Sequence, residues 1–196
     1  SNSFTTMEDD ENCPAKDILE EANAYLAEGK MQDAKETFER ALEIQIQALG
    51  EDHPLVGETH ASIGDVLKDI GDLEEAMKNF ERALEIKVGQ VGENHSDTGI
   101  NYRHIGDIAC RKEDYQKAEE MYRRVLKIHL ESESNDNSYL AAIYKHLAEV
   151  LQSQQKLPET INMFKKSLAL NLKIFGEDHP EVARTYVSIG DLLLKQ

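Results

Sequence analysis

Cysteine is scarce in this chain of 196 residues, which holds only Cys13 and Cys110. The two lie far apart and match no metal or redox spacing, and their scarcity points to a reducing compartment and a cytoplasmic setting. No apolar run approaches the roughly 18 residues that a membrane span needs, so membrane insertion is not expected. The opening "SNSFTTMEDDENCP" is polar and acidic, unlike a signal peptide; residues 1–14 read as a disordered acidic tail or a tag remnant. Basic charge is short as well, with 22 Lys+Arg against 38 Asp+Glu and a net charge of −16. No basic stripe is present, which argues against nucleic acid as a partner. A Gly-rich phosphate loop, Gly-x-Ser-x-Gly, His-Glu-x-x-His and any Cys–His arrangement are all missing. Carboxylate pairs abound, but on helix faces with no pocket to perturb them. The expectation is no enzyme, no metal and no cofactor.

What is present is a folded composition, 40% hydrophobic and 31% charged. The acidity is uneven. Residues 1–100 hold 8 Lys+Arg against 24 Asp+Glu, whereas residues 101–196 hold 14 of each. Such a field in the first half favours basic partners over anionic ones.

The chain also repeats itself every 42 residues, and a fixed period of this size signals a solenoid. Small residues recur at Ala22, Gly64, Gly106, Ala148 and Gly190. Twelve places later stand Ala34, Ala76, Ala118 and Thr160; sixteen later Phe38, Phe80, Tyr122 and Phe164; twenty later Leu42, Leu84, Leu126 and Leu168. Each unit reads as two helices. In the second, His60, Ile63, Gly64 and Leu67 make one helical stripe, Gly71 turns the chain, and Leu73, Ala76, Met77, Phe80 and Leu84 make another. The small residues at 64 and 76 are expected to let the paired backbones approach closely. The linkers "LGEDHPLV", "VGENHSDT" and "FGEDHPEV" place a glycine at a helix end, with Gly92 suited to the left-handed position after a helix. Asp52, Asp178 and either Asn94 or Ser96 are expected to cap the next helix, with Pro54 and Pro180 in its first turn. His53, His95 and His179 share one register without a second ligand nearby, so they read as structural loop residues. The third linker differs, with Asn137 and Ser138 in place of His and Pro.

The pattern Tyr-x2-Ile-Gly-x2-apolar followed by Ala-x3-Phe resembles the tetratricopeptide repeat. The 42-residue length and the Gly-Glu-Asp-His-Pro linker resemble the long-repeat branch of kinesin light chains and nephrocystin-type proteins. The resemblance covers residues 15–196 and implies an all-α, right-handed solenoid of antiparallel helix pairs whose first helices line a concave groove. The units are about 15–54, 55–96, 97–137 and 138–179, with a partial fifth at 180–196. The expected helix pairs are 15–49, 55–91, 97–131 and 138–174, plus a ninth helix at 180–195. "DLLLKQ" ends where a partner helix is due, which reads as a fragment of a longer protein.

One stripe of each first helix faces the groove in the family. On it stand Asn23, then Glu58, Asp65 and Lys68, then Arg103 and Asp107, then Lys145 and Glu149, then Arg184 and Asp191. Asn23, Asp65, Asp107, Glu149 and Asp191 form a ladder of acceptors, suited to an extended peptide with Lys or Arg. Arg103–Asp107 and Lys145–Glu149 are expected to pair locally at i,i+4. Asp65 and Asp191 have Ala61 and Val187 at that position and are expected to stay unpaired. The carboxylate clamp of heat-shock co-chaperones is not matched beyond Asn23, since Leu19, Ser62 and Ile100 stand where its other residues belong. The asparagine pairs of kinesin light chains are replaced by Ala61-Ser62, Arg103-His104, Lys145-His146 and Val187-Ser188. His104 and His146 read as groove-edge residues, not a metal pair. The expected function is a non-catalytic scaffold binding an extended, partly basic peptide of a protein partner. The alternative is a structural or oligomerisation module acting through its ends or convex face, with end-to-end self-association through the incomplete fifth repeat.

Overall fold

A computed structural model describes residues 15–132 and 136–194; the acidic tail expected at residues 1–14 lies outside the described residues. The chain divides into two compact units between Glu93 and Asn94. The first contains α1 (Lys16–Ala27), α2 (Met31–Leu49), α3 (Pro54–Ile70) and α4 (Leu73–Val91). The second contains α5 (Ser96–Arg111), α6 (Tyr115–Glu131), α7 (Asn137–Ser153), α8 (Leu157–Phe175) and α9 (Pro180–Leu193). No strand occurs among the described residues. Successive helices pack as neighbours within each unit, in the hairpin order that the 42-residue period implies.

The repeated columns are the core. Ala34, Ala76, Ala118 and Thr160 are fully buried, and Phe38, Phe80, Tyr122 and Phe164 are nearly so. Leu126 and Leu168 are buried, while Leu42 and Leu84 are half-buried. The small residue of the first helix lies against the aromatic ring of the second. A β-carbon on Gly64 would fall 2.9 Å from Phe80 Cε2, and one on Gly106 would fall 3.2 Å from Tyr122 Cε1. The close approach is thus between glycine and ring, where the sequence suggested small residue on small residue.

Two buried polar side chains find partners on a neighbouring helix, as interiors favour. Thr59 donates its hydroxyl hydrogen to the Gln45 side-chain oxygen at 2.7 Å, joining α3 to α2. Ser167 donates to the Ala141 carbonyl at 2.9 Å, joining α8 to α7.

The turn inside each hairpin has one residue with positive φ, again at 42-residue spacing: Gly29, Gly71, Glu113 and Gln155. Glutamate and glutamine thus take, at φ 59° and 60°, a conformation that costs side-chain-bearing residues about 1–2 kcal/mol. The linker glycines behave differently from the sequence expectation. Gly50, Gly92 and Gly176 have φ of 81–91° with ψ of 162–177°, an extended region almost reserved for glycine and distinct from the left-handed helical cap.

The caps also need correction. His53, His95 and His179 are themselves the N-caps of α3, α5 and α9. Their Nδ1 atoms accept from the backbone N–H of Leu55, Asp97 and Glu181 at 3.3, 3.2 and 3.2 Å. Asp52 instead pairs with Arg82 at 2.9 Å, and Ser96 is the first residue of α5. In α7 the cap is Asp136, one place before the histidine register, accepting from Tyr139 at 2.9 Å. Histidine reads poorly as a cap from sequence because Asp, Asn and Ser outrank it. The structural reading of the three histidines is the one the geometry supports.

Candidate functional site

In the first unit Asn23 and Glu58 are exposed on α1 and α3. Asp65 is not unpaired: Lys68, three residues on, bonds to it, and the Lys68 ammonium also lies 5.8 Å from the centre of the Phe80 ring. Looking only four residues back from each carboxylate missed this i,i+3 partner.

In the second unit the stripe carries more chemistry. Arg103 donates to Asp107 Oδ2 at 2.9 Å, as the spacing predicts. The other oxygen of Asp107 accepts from the Tyr122 hydroxyl at 2.6 Å, and His146 Nδ1 lies 3.9 Å from it. Tyr122 comes from α6, so Asp107 ties the hairpin together as well as facing outward. Burial above all, then the neighbouring Asp107 charge, pushes the Tyr122 hydroxyl far above its ordinary pKa and keeps it protonated. The sequence signal for this contact was available: Tyr122 is the one tyrosine in a column otherwise of phenylalanine.

Lys145 does not pair with Glu149. It turns to Glu181 on the next first helix at 3.4 Å, and Arg184 bonds to the same glutamate. Glu181 therefore absorbs two of the expected site cations, a role that no within-helix count of residues 145 and 149 would reveal. Lys195, four residues beyond Asp191, lies outside the described residues, among which no cation pairs with Glu149 or Asp191. Exposed apolar groups accompany them: Ile100 is 52% exposed, Val187 63% and Leu194 88%.

Two cavities in this unit matter. The larger, 790 Å³, lies beside the α5–α6 and α7–α8 turns. Both of its lining cations are engaged, since Glu119 binds Lys156 at 2.7 Å and Arg123 at 2.9 Å, and Arg123 reaches Glu159 at 2.8 Å. The smaller, 380 Å³, brings together Asp107 and Glu149, consecutive rungs of the ladder, with Cys110, Tyr122 and His146. Among the described residues no group of three or more His, Cys, Asp or Glu could hold a metal ion. No helix among them is long and apolar enough to cross a membrane.

Helix hairpins in register, with first-helix faces left open, define a helical-repeat protein of the interaction type. The tetratricopeptide repeat model matches residues 17–88 and 139–196, and a second model of the same repeat matches residues 102–135. The chain belongs to the tetratricopeptide repeat family. Proteins of this family generally mediate protein–protein interaction and are typically non-catalytic.

Solved structures agree in fold. A kinesin light chain protein of Podosopora anserina with nearly identical TPR-like repeats is 20% identical, with 93% of each chain covered and a TM-score of 0.75. BtubC (BKLC) from P. vanneervenii is 21% identical over 85% of this chain and 66% of its own, with a TM-score of 0.77. MamA (41–end) from Desulfovibrio magneticus RS-1 is 16% identical over 93% and 97%, with a TM-score of 0.63. At these identities the likeness is one of fold. A comparison with the curated proteins finds no match.

Proposed function

We propose that this chain is a non-catalytic scaffold that binds an extended, partly basic peptide segment of a protein partner along its first-helix faces. The observation that carries the reading is the second unit's stripe, where Glu149 has no cation among the described residues and Asp191 stands on α9 beside exposed Val187 and Leu194. Open carboxylates at repeat spacing, flanked by apolar side chains, suit a ligand that alternates basic and apolar residues. The acidity of residues 1–100 adds attraction for the same partner. Asn23, Glu58, Asp65 and Lys68 offer a weaker version on the first unit, because Lys68 already occupies Asp65. The repeat units 15–54, 55–96, 97–137, 138–179 and 180–196 are the building blocks of this reading. It includes a cytoplasmic setting, supported by the scarcity of cysteine.

The test is fluorescence anisotropy with labelled basic, acidic and neutral peptides of equal length. Basic peptides should bind best and weaken with salt, since exposed charges are screened beyond a Debye length of about 8 Å at physiological ionic strength. Asp191→Asn should reduce binding more than Asp65→Asn. Equal binding of all three peptide classes, unchanged in either variant, would return the stripe to solvated helix surface.

A second reading, self-association, is supported by the other face of α9. Tyr186 is 55% and Leu193 51% exposed, whereas their counterparts Tyr144 and Leu151 are buried beneath α8. Light scattering tests it: a dimer of the chain that Leu193→Glu dissolves supports association through α9, and a monomer at all concentrations removes it.

A further inference from the structure

The 380 Å³ cavity of the second unit is lined by the carboxylates of Asp107 and Glu149, the Arg111 guanidinium and otherwise uncharged or aromatic side chains. Its floor is the ring of Tyr122, only 2% exposed, with the hydroxyl committed to Asp107. The Cys110 thiol donates toward that hydroxyl oxygen at 3.8 Å, and burial above all raises its pKa, so it stays a neutral thiol. The His146 ring forms a side wall, 5.7 Å from the Tyr122 ring centre at an interplanar angle of 53°. Asp107 lines the cavity too, but Arg103 offsets its charge. Arg111 reaches the rim on one side, and Glu149 and Ser153 line it with α7 side chains. The Glu149 carboxylate is the group with no cation among the described residues.

We infer that this cavity is the seat for a single arginine or lysine side chain of the bound peptide, its stem against Tyr122 and His146 and its head at Glu149. The inference rests on the peptide-binding reading above and names the subsite that selects the basic residue. An anionic guest would meet the Glu149 carboxylate, with Asp107 already held by Arg103, and an apolar guest would bury Glu149 without a partner. A cation gains the Glu149 carboxylate, with its stem against the Tyr122 and His146 side chains that line the cavity. Guanidinium fits best, because it is planar, stacks on rings and binds carboxylate with two parallel N–H bonds.

The experiment probes the seat without a long peptide. The isotope-labelled chain is titrated with N-acetyl-arginine amide, N-acetyl-lysine amide and, as the uncharged isostere of arginine, N-acetyl-citrulline amide, following backbone amide resonances. Arginine is expected to shift Cys110, Tyr122, His146 and Glu149 with a Kd of about millimolar order, lysine more weakly, and citrulline least. Glu149→Gln, at an exposed position, should weaken arginine binding about tenfold, the scale of one charged hydrogen bond. Equal shifts from arginine and citrulline, shifts centred elsewhere, or no effect of Glu149→Gln would overturn the assignment. The basic peptides of the previous section separate the two failures. If they bind the chain equally well with and without Glu149→Gln, the seat is wrong and the scaffold reading stands. If neither the blocked amino acids nor the peptides bind, both are wrong.

Discussion

The glycine column gives three substitutions of identical chemistry and different expected sign. Replacing a mid-helix glycine by alanine gains about 0.8–1.0 kcal/mol of helix propensity wherever the new methyl has room. At Gly64 it has none. The β-carbon would lie 2.9–3.0 Å from three carbons of the Phe80 ring, and that ring is itself fully buried. Relief requires moving a packed ring or opening the α3–α4 hairpin, and overpacking of this kind costs about 1–3 kcal/mol. Gly64→Ala should therefore be net destabilising by about 0–2 kcal/mol. At Gly106 the nearest Tyr122 atoms lie at 3.2 and 3.3 Å, so a shift of a few tenths of an ångström suffices and the two effects nearly cancel. At Gly190 nothing lies within 4 Å, and the full propensity gain of about 0.8–1.0 kcal/mol should appear. The column already holds Ala22 and Ala148, both fully buried, so a β-carbon is compatible with a hairpin built around it. Urea unfolding of the three variants reads the order Gly190→Ala above wild type, Gly106→Ala near it and Gly64→Ala below. Native-state hydrogen exchange assigns each change to its own unit. A stabilised Gly64→Ala, or a Gly190→Ala that costs as much as Gly64→Ala, would refute the glycine-on-ring account.

Glu113→Gly and Gln155→Gly should each raise stability by up to about 1 kcal/mol, because relief of a positive φ exceeds the entropy that glycine adds to the unfolded chain; thermal melting reads it. His53→Ala and His179→Ala should each cost about 0.5–1 kcal/mol through loss of an N-cap, and His53→Asp should restore it in the same urea assay. At Glu119 burial pushes the pKa up, but the bonds from Lys156 and Arg123 outweigh it and hold the carboxyl below its ordinary 4.5. Its contribution is thus present above about pH 4.5 and lost as pH falls through the folded value, so Glu119→Gln should flatten the acid limb of stability measured against pH. Glu181→Gln should release Lys145 to reach Glu149 and so weaken basic-peptide binding by up to about twofold, the scale of one i,i+4 pair, in the anisotropy titration.

Nearly all of the helical architecture was legible because the 42-residue period constrains it many times over. Each hairpin must bury a small residue and an aromatic at fixed offsets, with a leucine buried or half-buried after them, and one error would break every column at once. Helix ends follow for the same reason: Pro54 and Pro180 begin α3 and α9 as their place in the linker implies. What escaped was the identity of the groups that satisfy those ends. An imidazole accepting through Nδ1 and an aspartate doing the same leave similar traces in a sequence. Only the backbone at His53, extended at φ −71° and ψ 143°, shows which of two neighbours holds the cap.

The site was half legible, and the division follows distance along the chain. Pairs inside one helix are set by spacing, so Arg103–Asp107 was readable, and Asp65–Lys68 would have been with a three-residue step. Pairs across helices depend on how the hairpins pack. Lys145 prefers Glu181, thirty-six residues away, to a carboxylate four residues along its own helix. That preference has a physical basis: a lysine preceding a glutamate at i,i+4 opposes the helix dipole, the weaker of the two orientations. Its consequence is that Glu149, the rung expected to be neutralised, has no cation among the described residues, while Asp65, expected to be open, is paired with Lys68. On the proposed reading, a basic peptide would find an open charge contact in the second unit, at Glu149, although the whole net negative charge of the chain lies in the first hundred residues.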